Sequence, residues 1–206
     1  MEIYSTEDQQ VDAIKQFWKD YGISIIIGAV VGLGGLYGWS HYSNSKVDNA
    51  ELASEAYQKL VSENLNVSGL SGQVAKYDTE HSSKGYQTML ELMLAKNATE
   101  AGDFTKAEQA LNRVITANAD EGMTILAKLR LARVQAEQGQ LDTAIATLDQ
   151  VTAASFLAQR DELKGDFLTR LGKNDEAKKA YQAAIDLGGM QSSPALQMKL
   201  DNLNKA

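Results

Sequence analysis

The sequence predicts an all-α protein in which one N-terminal membrane-spanning helix precedes a domain of stacked helix pairs. Three observations lead there. Residues 21 to 45 contain no Asp, Glu, Lys or Arg, and Ile23 to Trp39 are almost wholly apolar. A glycine-centred text recurs three times between Gly102 and Ala184. The only proline is Pro194, strand-type alternation is scarce, and apolar residues recur three and four apart, as on helices.

The predicted span covers residues 21–42. Its eight Ile, Val and Leu side chains between Ile23 and Trp39 favour insertion by about 0.3–0.6 kcal/mol each. Phe17, Trp18 and Tyr21 flank one end and Tyr37, Trp39 and Tyr42 the other, where amphipathic rings prefer the headgroup layer. A helix from Trp18 to Trp39 rises about 31 Å, close to the hydrocarbon thickness. A buried core helix would need a polar stripe that this segment lacks. A cleaved signal peptide would need a shorter apolar run and a basic leader. Gly28 and Gly32, and again Gly34 and Gly38, have the spacing that lets helices approach closely in lipid. The same glycines do not form a phosphate loop, since no G-K-[ST] follows them.

Residues 1–20 form a short acidic tail, with Glu2, Glu7, Asp8, Asp12 and Asp20 against Lys15 and Lys19. Val11, Ile14, Phe17, Trp18 and Tyr21 recur at helical spacing and make an amphipathic lead-in. The positive-inside count is nearly tied between Lys15 and Lys19 before the span and Lys46 and Lys59 after it. The short leader and the position of Lys19 tip the tail toward the cytoplasm.

After the span, Ala50, Ala53, Tyr57, Leu60, Val61 and Leu65 predict a helix over 47–65, and Ser and Gly residues break the pattern over 66–72. A shorter helix is expected over 73–81. Then Gly102-Asp103-Phe104-Thr105-Lys106-Ala107, followed by Leu111 and Val114, recurs as Gly139 to Ala144 with Leu148 and Val151, and as Gly172 to Ala177 with Tyr181 and Ala184. Seven residues before each glycine stands a small residue, Ala95, Ala132 or Gly165. This alternation resembles the tetratricopeptide repeat, a helix-turn-helix unit that buries its apolar stripe only by stacking on neighbours. It predicts repeats over 84–118, 121–152 and 155–188 within a domain of residues 43–206. Ser193 and Pro194 should start a capping helix over 193–204, with Ser as cap and Pro in the first turn.

Chemistry is sparsely written. No cysteine occurs, which excludes disulfides and thiolate catalysis. A formal charge of −7 with no basic block argues against nucleic acid. His41 and His81 have no evident nucleophile or metal partner, and carboxylate pairs such as Asp161-Glu162 and Asp175-Glu176 fall at helix starts or on solvated faces. No catalytic residue, cofactor or metal site is expected, and the protein is expected not to be an enzyme. The first helices of the repeats should line a concave protein-binding groove. Repeat phase assigns to it Met89, Leu92, Lys96, Leu126, Leu129, Arg133 and Arg170, with Glu162 and Asp166 as an acidic end. Burial in the core is the competing reading for the Leu and Met positions. The cochaperone clamp for C-terminal carboxylates needs lysine where Leu92 and Leu129 stand.

The opening Met1-Glu2-Ile3-Tyr4, Gly38-Trp39, Ala56-Tyr57-Gln58, the run Leu129-Arg130-Leu131-Ala132-Arg133-Val134-Gln135 and the ending Met198-Lys199-Leu200-Asp201-Asn202-Leu203 resemble the ancillary SecYEG translocon subunits, the YfgM family, along essentially the whole chain. The resemblance implies a single-pass bacterial inner-membrane protein with a cytoplasmic N-terminus and a periplasmic repeat domain. It further implies association with SecYEG and the membrane-anchored periplasmic chaperone PpiD, and assistance to newly exported polypeptides. A link to a cytoplasmic response regulator through the N-terminal tail is the alternative role it suggests.

Overall fold

The computed structural model describes residues 7–63 and 65–205 of the 206-residue chain. Met1 to Thr6 of the expected acidic tail lie outside the described residues. Among the described residues there is no strand. The chain divides into two compact units, one ending at Leu52 and the other beginning at Ala53.

Helix α1 (Glu7–Ser62) makes up the described part of the first unit and ends within the second; it runs through the predicted span without interruption and continues past the expected boundary at residue 42. It is long and apolar enough to cross a membrane. Ile23, Val30, Leu33 and Trp39 are each more than 60% exposed, and Gly22 is held under the Trp18 indole. A core helix would bury such side chains against protein; here they are exposed, as a candidate membrane span leaves them.

The second unit is built from helix pairs. Its first pair is the last part of α1 with α2 (Val67–Glu80), pinned where the buried Tyr77 hydroxyl donates to the Ala53 carbonyl at 2.9 Å. Helix α2 starts six residues earlier than the sequence pattern suggests. Asn66 caps it, its side chain accepting from the Gly69 amide at 2.8 Å, and Leu70, Val74 and Tyr77 supply a buried helical stripe. Ser68, Gly69, Ser71 and Gly72 therefore lie in the first turns of the helix rather than in a loop.

Three further pairs follow: α3 (Lys84–Glu100) with α4 (Phe104–Ala117), α5 (Glu121–Glu137) with α6 (Leu141–Asp149), and α7 (Leu157–Arg170) with α8 (Asn174–Asp186). The three tight turns share one hydrogen-bond pattern. Gly102, Gly139 and Gly172 have φ of 76°, 79° and 74°, and the next amide bonds back five residues, Asp103 to Ala98, Gln140 to Gln135 and Lys173 to Leu168, at 2.8–2.9 Å. This closes each first helix in a Schellman motif that favours glycine at the left-handed position. Helix α4 ends instead on Asn118, also left-handed at φ 43°.

Each first helix is buried on two sides. In α5, Ala127, Leu131 and Val134 face the cluster of α3 and α4, while Ile125, Leu129, Ala132 and Ala136 face the cluster of α6 and α7. Helix α9 (Leu196–Lys205) closes the last pair with Leu196, Leu200 and Leu203. It begins three residues later than expected, because the Ser193 hydroxyl donates to Glu162 at 2.7 Å instead of capping the helix.

Candidate protein-binding groove

Where the C-terminal halves of α3 and α5 meet over α4, a pocket of about 390 Å³ opens, lined by Ala95, Lys96, Thr99, Glu100, Leu111, Arg130, Arg133, Val134 and Glu137. Two of the expected groove residues, Lys96 and Arg133, line it; Arg130 is an addition. Ala95, Leu111 and Val134 are core residues whose edges form its floor. Lys96 and Glu100 form an exposed pair at 3.7 Å. Glu137 is held by Arg170 at 3.0 Å, and Arg170 also donates to the Ala136 carbonyl at 2.8 Å. Among the described residues, Arg130 and Arg133 have no ion-pair or hydrogen-bond partner.

The remaining assignments separate by burial. Met89 is 40% exposed and Leu126 half-buried, so both remain available to a partner. Leu92 is 8% exposed and Leu129 fully buried. These two correct the expectation. A first helix packs against neighbouring pairs as well as its own second helix, so positions counted toward the groove by phase fall into these buried contacts. Arg170 is exposed but engaged with Glu137 and Ala136.

The expected acidic end of the groove is occupied from within. Lys199 of α9 bonds Glu162 at 2.9 Å and Asp166 at 2.7 and 2.8 Å, and the Tyr181 hydroxyl donates to Asp166 at 2.8 Å. Burial lowers the affinity of Lys199 for its proton, but the hydrogen bonds to Asp166 and Glu162 outweigh it and raise its pKa. Sequence phase missed this because the lysine comes from the cap.

A second pocket, of about 580 Å³, lies beside the turn between α2 and α3. At its wall the buried Glu91 carboxylate accepts a bidentate pair from Arg113, Nε at 2.7 Å and an Nη at 2.9 Å. Gln87 donates its amide to the same carboxylate at 3.2 Å. Such a pair ties α3 to α4 by geometry as well as charge. In α1, a Cβ added at Gly28, Gly32, Gly34 or Gly38 would meet nothing within 4 Å, so these glycines leave open backbone on the helix. Among the described residues no group of His, Asp and Glu has the arrangement of a metal site.

The fold and the groove define a tetratricopeptide-type repeat protein with one candidate membrane anchor. The tetratricopeptide repeat-like domain model matches residues 15–205. The chain is 33% identical to the ancillary SecYEG translocon subunit of Haemophilus influenzae, over 96% of this chain and 97% of that protein. It is 31% identical to that of Escherichia coli, over 99% and 100%. It belongs to the family of ancillary SecYEG translocon subunits. Among solved structures it is similar to MamA of Desulfovibrio magneticus, with a TM-score of 0.57 at 18% identity, covering 76% of this chain and 84% of that one. That likeness concerns the fold alone.

Proposed function

We propose that this chain is a non-enzymatic ancillary subunit of the SecYEG translocon, anchored in the bacterial inner membrane by α1 with its N-terminus cytoplasmic and its repeat domain periplasmic. There the domain binds the translocon and the chaperone PpiD and assists the folding or trafficking of newly exported polypeptides. The observation that carries this reading is the combination of an apolar-floored groove bearing uncompensated Arg130 and Arg133 with near full-length similarity to proteins named for the translocon. The non-catalytic part is supported by the repeat fold, whose working surface is an extended groove. The proposal is tested by solubilising native membranes in mild detergent and purifying the tagged full-length chain. Translocon subunits and PpiD should co-purify, and their absence under conditions that keep SecYEG itself assembled would refute it.

A second reading is favoured by the exposed apolar stripe of Val11, Ile14 and Trp18 beyond the span. Residues 1–20 would then tether a cytoplasmic response regulator. Deleting residues 2–16 separates the two, since only the tether loses its partner while translocon association persists.

A further inference from the structure

Resting on that reading of the groove, we infer that the pocket between α3 and α5 binds extended polypeptide segments in which apolar side chains alternate with carboxylates. The chain as a whole carries a formal charge of −7, yet this pocket is lined by three cations, Lys96, Arg130 and Arg133, against two anions, Glu100 and Glu137. Neither anion is directed at the two arginines. Glu100 is paired along its own helix with Lys96, and Glu137 is drawn to Arg170 of the next pair. Arg170 is fixed in turn by the Ala136 carbonyl. The arrangement leaves two guanidinium groups without partners above an apolar floor made by the edges of Ala95, Leu111 and Val134.

A guanidinium on a flexible stem meets a carboxylate in a bidentate fork, and its complement here is a carboxylate adjacent to a side chain small enough for the floor. At the far end of the groove Glu162 and Asp166 already share Lys199 as an internal partner. Within this pocket a basic segment therefore finds both carboxylates already engaged, while an acidic one finds two free cations. Charge of this kind at the rim of a binding site governs selection and capture rate more than total affinity. The pocket accordingly selects among unfolded segments by sign of charge.

The test uses full-length protein in nanodiscs of neutral lipid and a short fluorescein-labelled peptide that alternates leucine with aspartate, read by anisotropy. The matched probe replaces every aspartate with lysine. The acidic peptide should bind at least about tenfold more tightly than the basic one, with an affinity that falls as salt rises. The Arg130→Glu/Arg133→Glu chain should lose that preference. Lys178→Glu/Lys179→Glu, which changes charge equally on α8, should retain it. Equal binding of both peptides, or a preference unchanged by the arginine reversals, overturns the inference. So does binding only to vesicles of anionic lipid with no capture of the acidic peptide, which would make the pocket a headgroup site. Co-purification of SecYEG is measured on the same variants. A chain that keeps the translocon but never prefers the acidic peptide refutes the inference alone, whereas loss of the translocon from wild type refutes the function on which it rests.

Discussion

Gly165 of α7 lies against the ring of Tyr181 of α8 so closely that a Cβ on the glycine would sit 2.5 Å from both Cδ1 and Cε1. In the two preceding pairs the corresponding positions hold Ala95 with Leu111 and Ala132 with Leu148, each pair buried within one cluster. The third pair thus exchanges a larger side chain on the second helix for a smaller one on the first. Such volume-conserving exchanges keep the helix separation, whereas adding volume on one side alone forces strain. Gly165→Ala should cost about 1–3 kcal/mol in urea unfolding. Gly165→Ala/Tyr181→Leu, which recreates the combination of the other pairs, should recover part of that loss. A double variant no more stable than the single one would show that the two positions are not coupled.

The same tyrosine gives the domain an alkaline limit. Burial pushes the Tyr181 hydroxyl from 10.0 up to about 12, with the Thr169 contact pulling against it and Asp166 adding to it. The folded pKa of Lys199 is also raised. Both groups therefore hold protons more tightly when folded. As pH rises from 10 toward 12 the unfolded chain loses its protons first, and stability falls. The tyrosine contributes about 2–3 kcal/mol of that fall. Below pH 10 neither group makes stability depend on pH. Tyr181→Phe should be less stable at neutral pH through loss of the hydroxyl hydrogen bonds, and should show a shallower decline in Tm between pH 10 and 12. An identical slope would contradict the assignment.

Glu91 is buried and depends on Arg113, whose own side chain is half exposed. Arg113→Met leaves the carboxylate with only the Gln87 amide, at a cost of about 1–3 kcal/mol. Glu91→Gln in the same chain removes the stranded charge and should restore much of the stability. The comparison is made by paired urea titrations. Equal losses in the single and double variants would mean that the cost is packing rather than charge.

The glycines divide by conformation. Gly139, at φ 79°, terminates α5, and Gly139→Ala should destabilise by about 1–2 kcal/mol. Gly72 sits within α2 with open space where a Cβ would point, so Gly72→Ala should stabilise by about 0.5–1 kcal/mol. Opposite shifts in Tm are the expected result. Shifts of the same sign would be inconsistent with the turn geometry.

How far the sequence reached follows from what kind of signal each feature leaves. The Gly102, Gly139 and Gly172 turns were legible because a left-handed residue must be chosen locally, at fixed phase. The candidate membrane-spanning segment is legible because a long uncharged apolar run is a signal of composition. The start of α2 is hidden by Gly69 and Gly72, which read locally as a break, although Asn66 as a cap and the spacing of Leu70, Val74 and Tyr77 carry the opposite signal. Leu92 and Leu129 fall on the groove face by period but are buried, because period separates the faces of a helix without counting its neighbours. The latch of Lys199 onto Glu162 and Asp166 joins residues more than thirty apart, which no local pattern encodes. Arg130 leaves no local signal, because what distinguishes it is having no partner, a property of the assembled pocket.

The central claim, that the groove of the repeat domain engages translocon components and exported chains, is tested most directly by site-specific photo-crosslinking in intact cells. Crosslinking residues placed at Met89, Lys96 and Arg133 should capture SecYEG subunits, PpiD or nascent exported polypeptides, while the same group at Lys179 on α8 should capture markedly less. Capture from Lys179 equal to that from the groove, or none of these species from any groove position, would contradict the account.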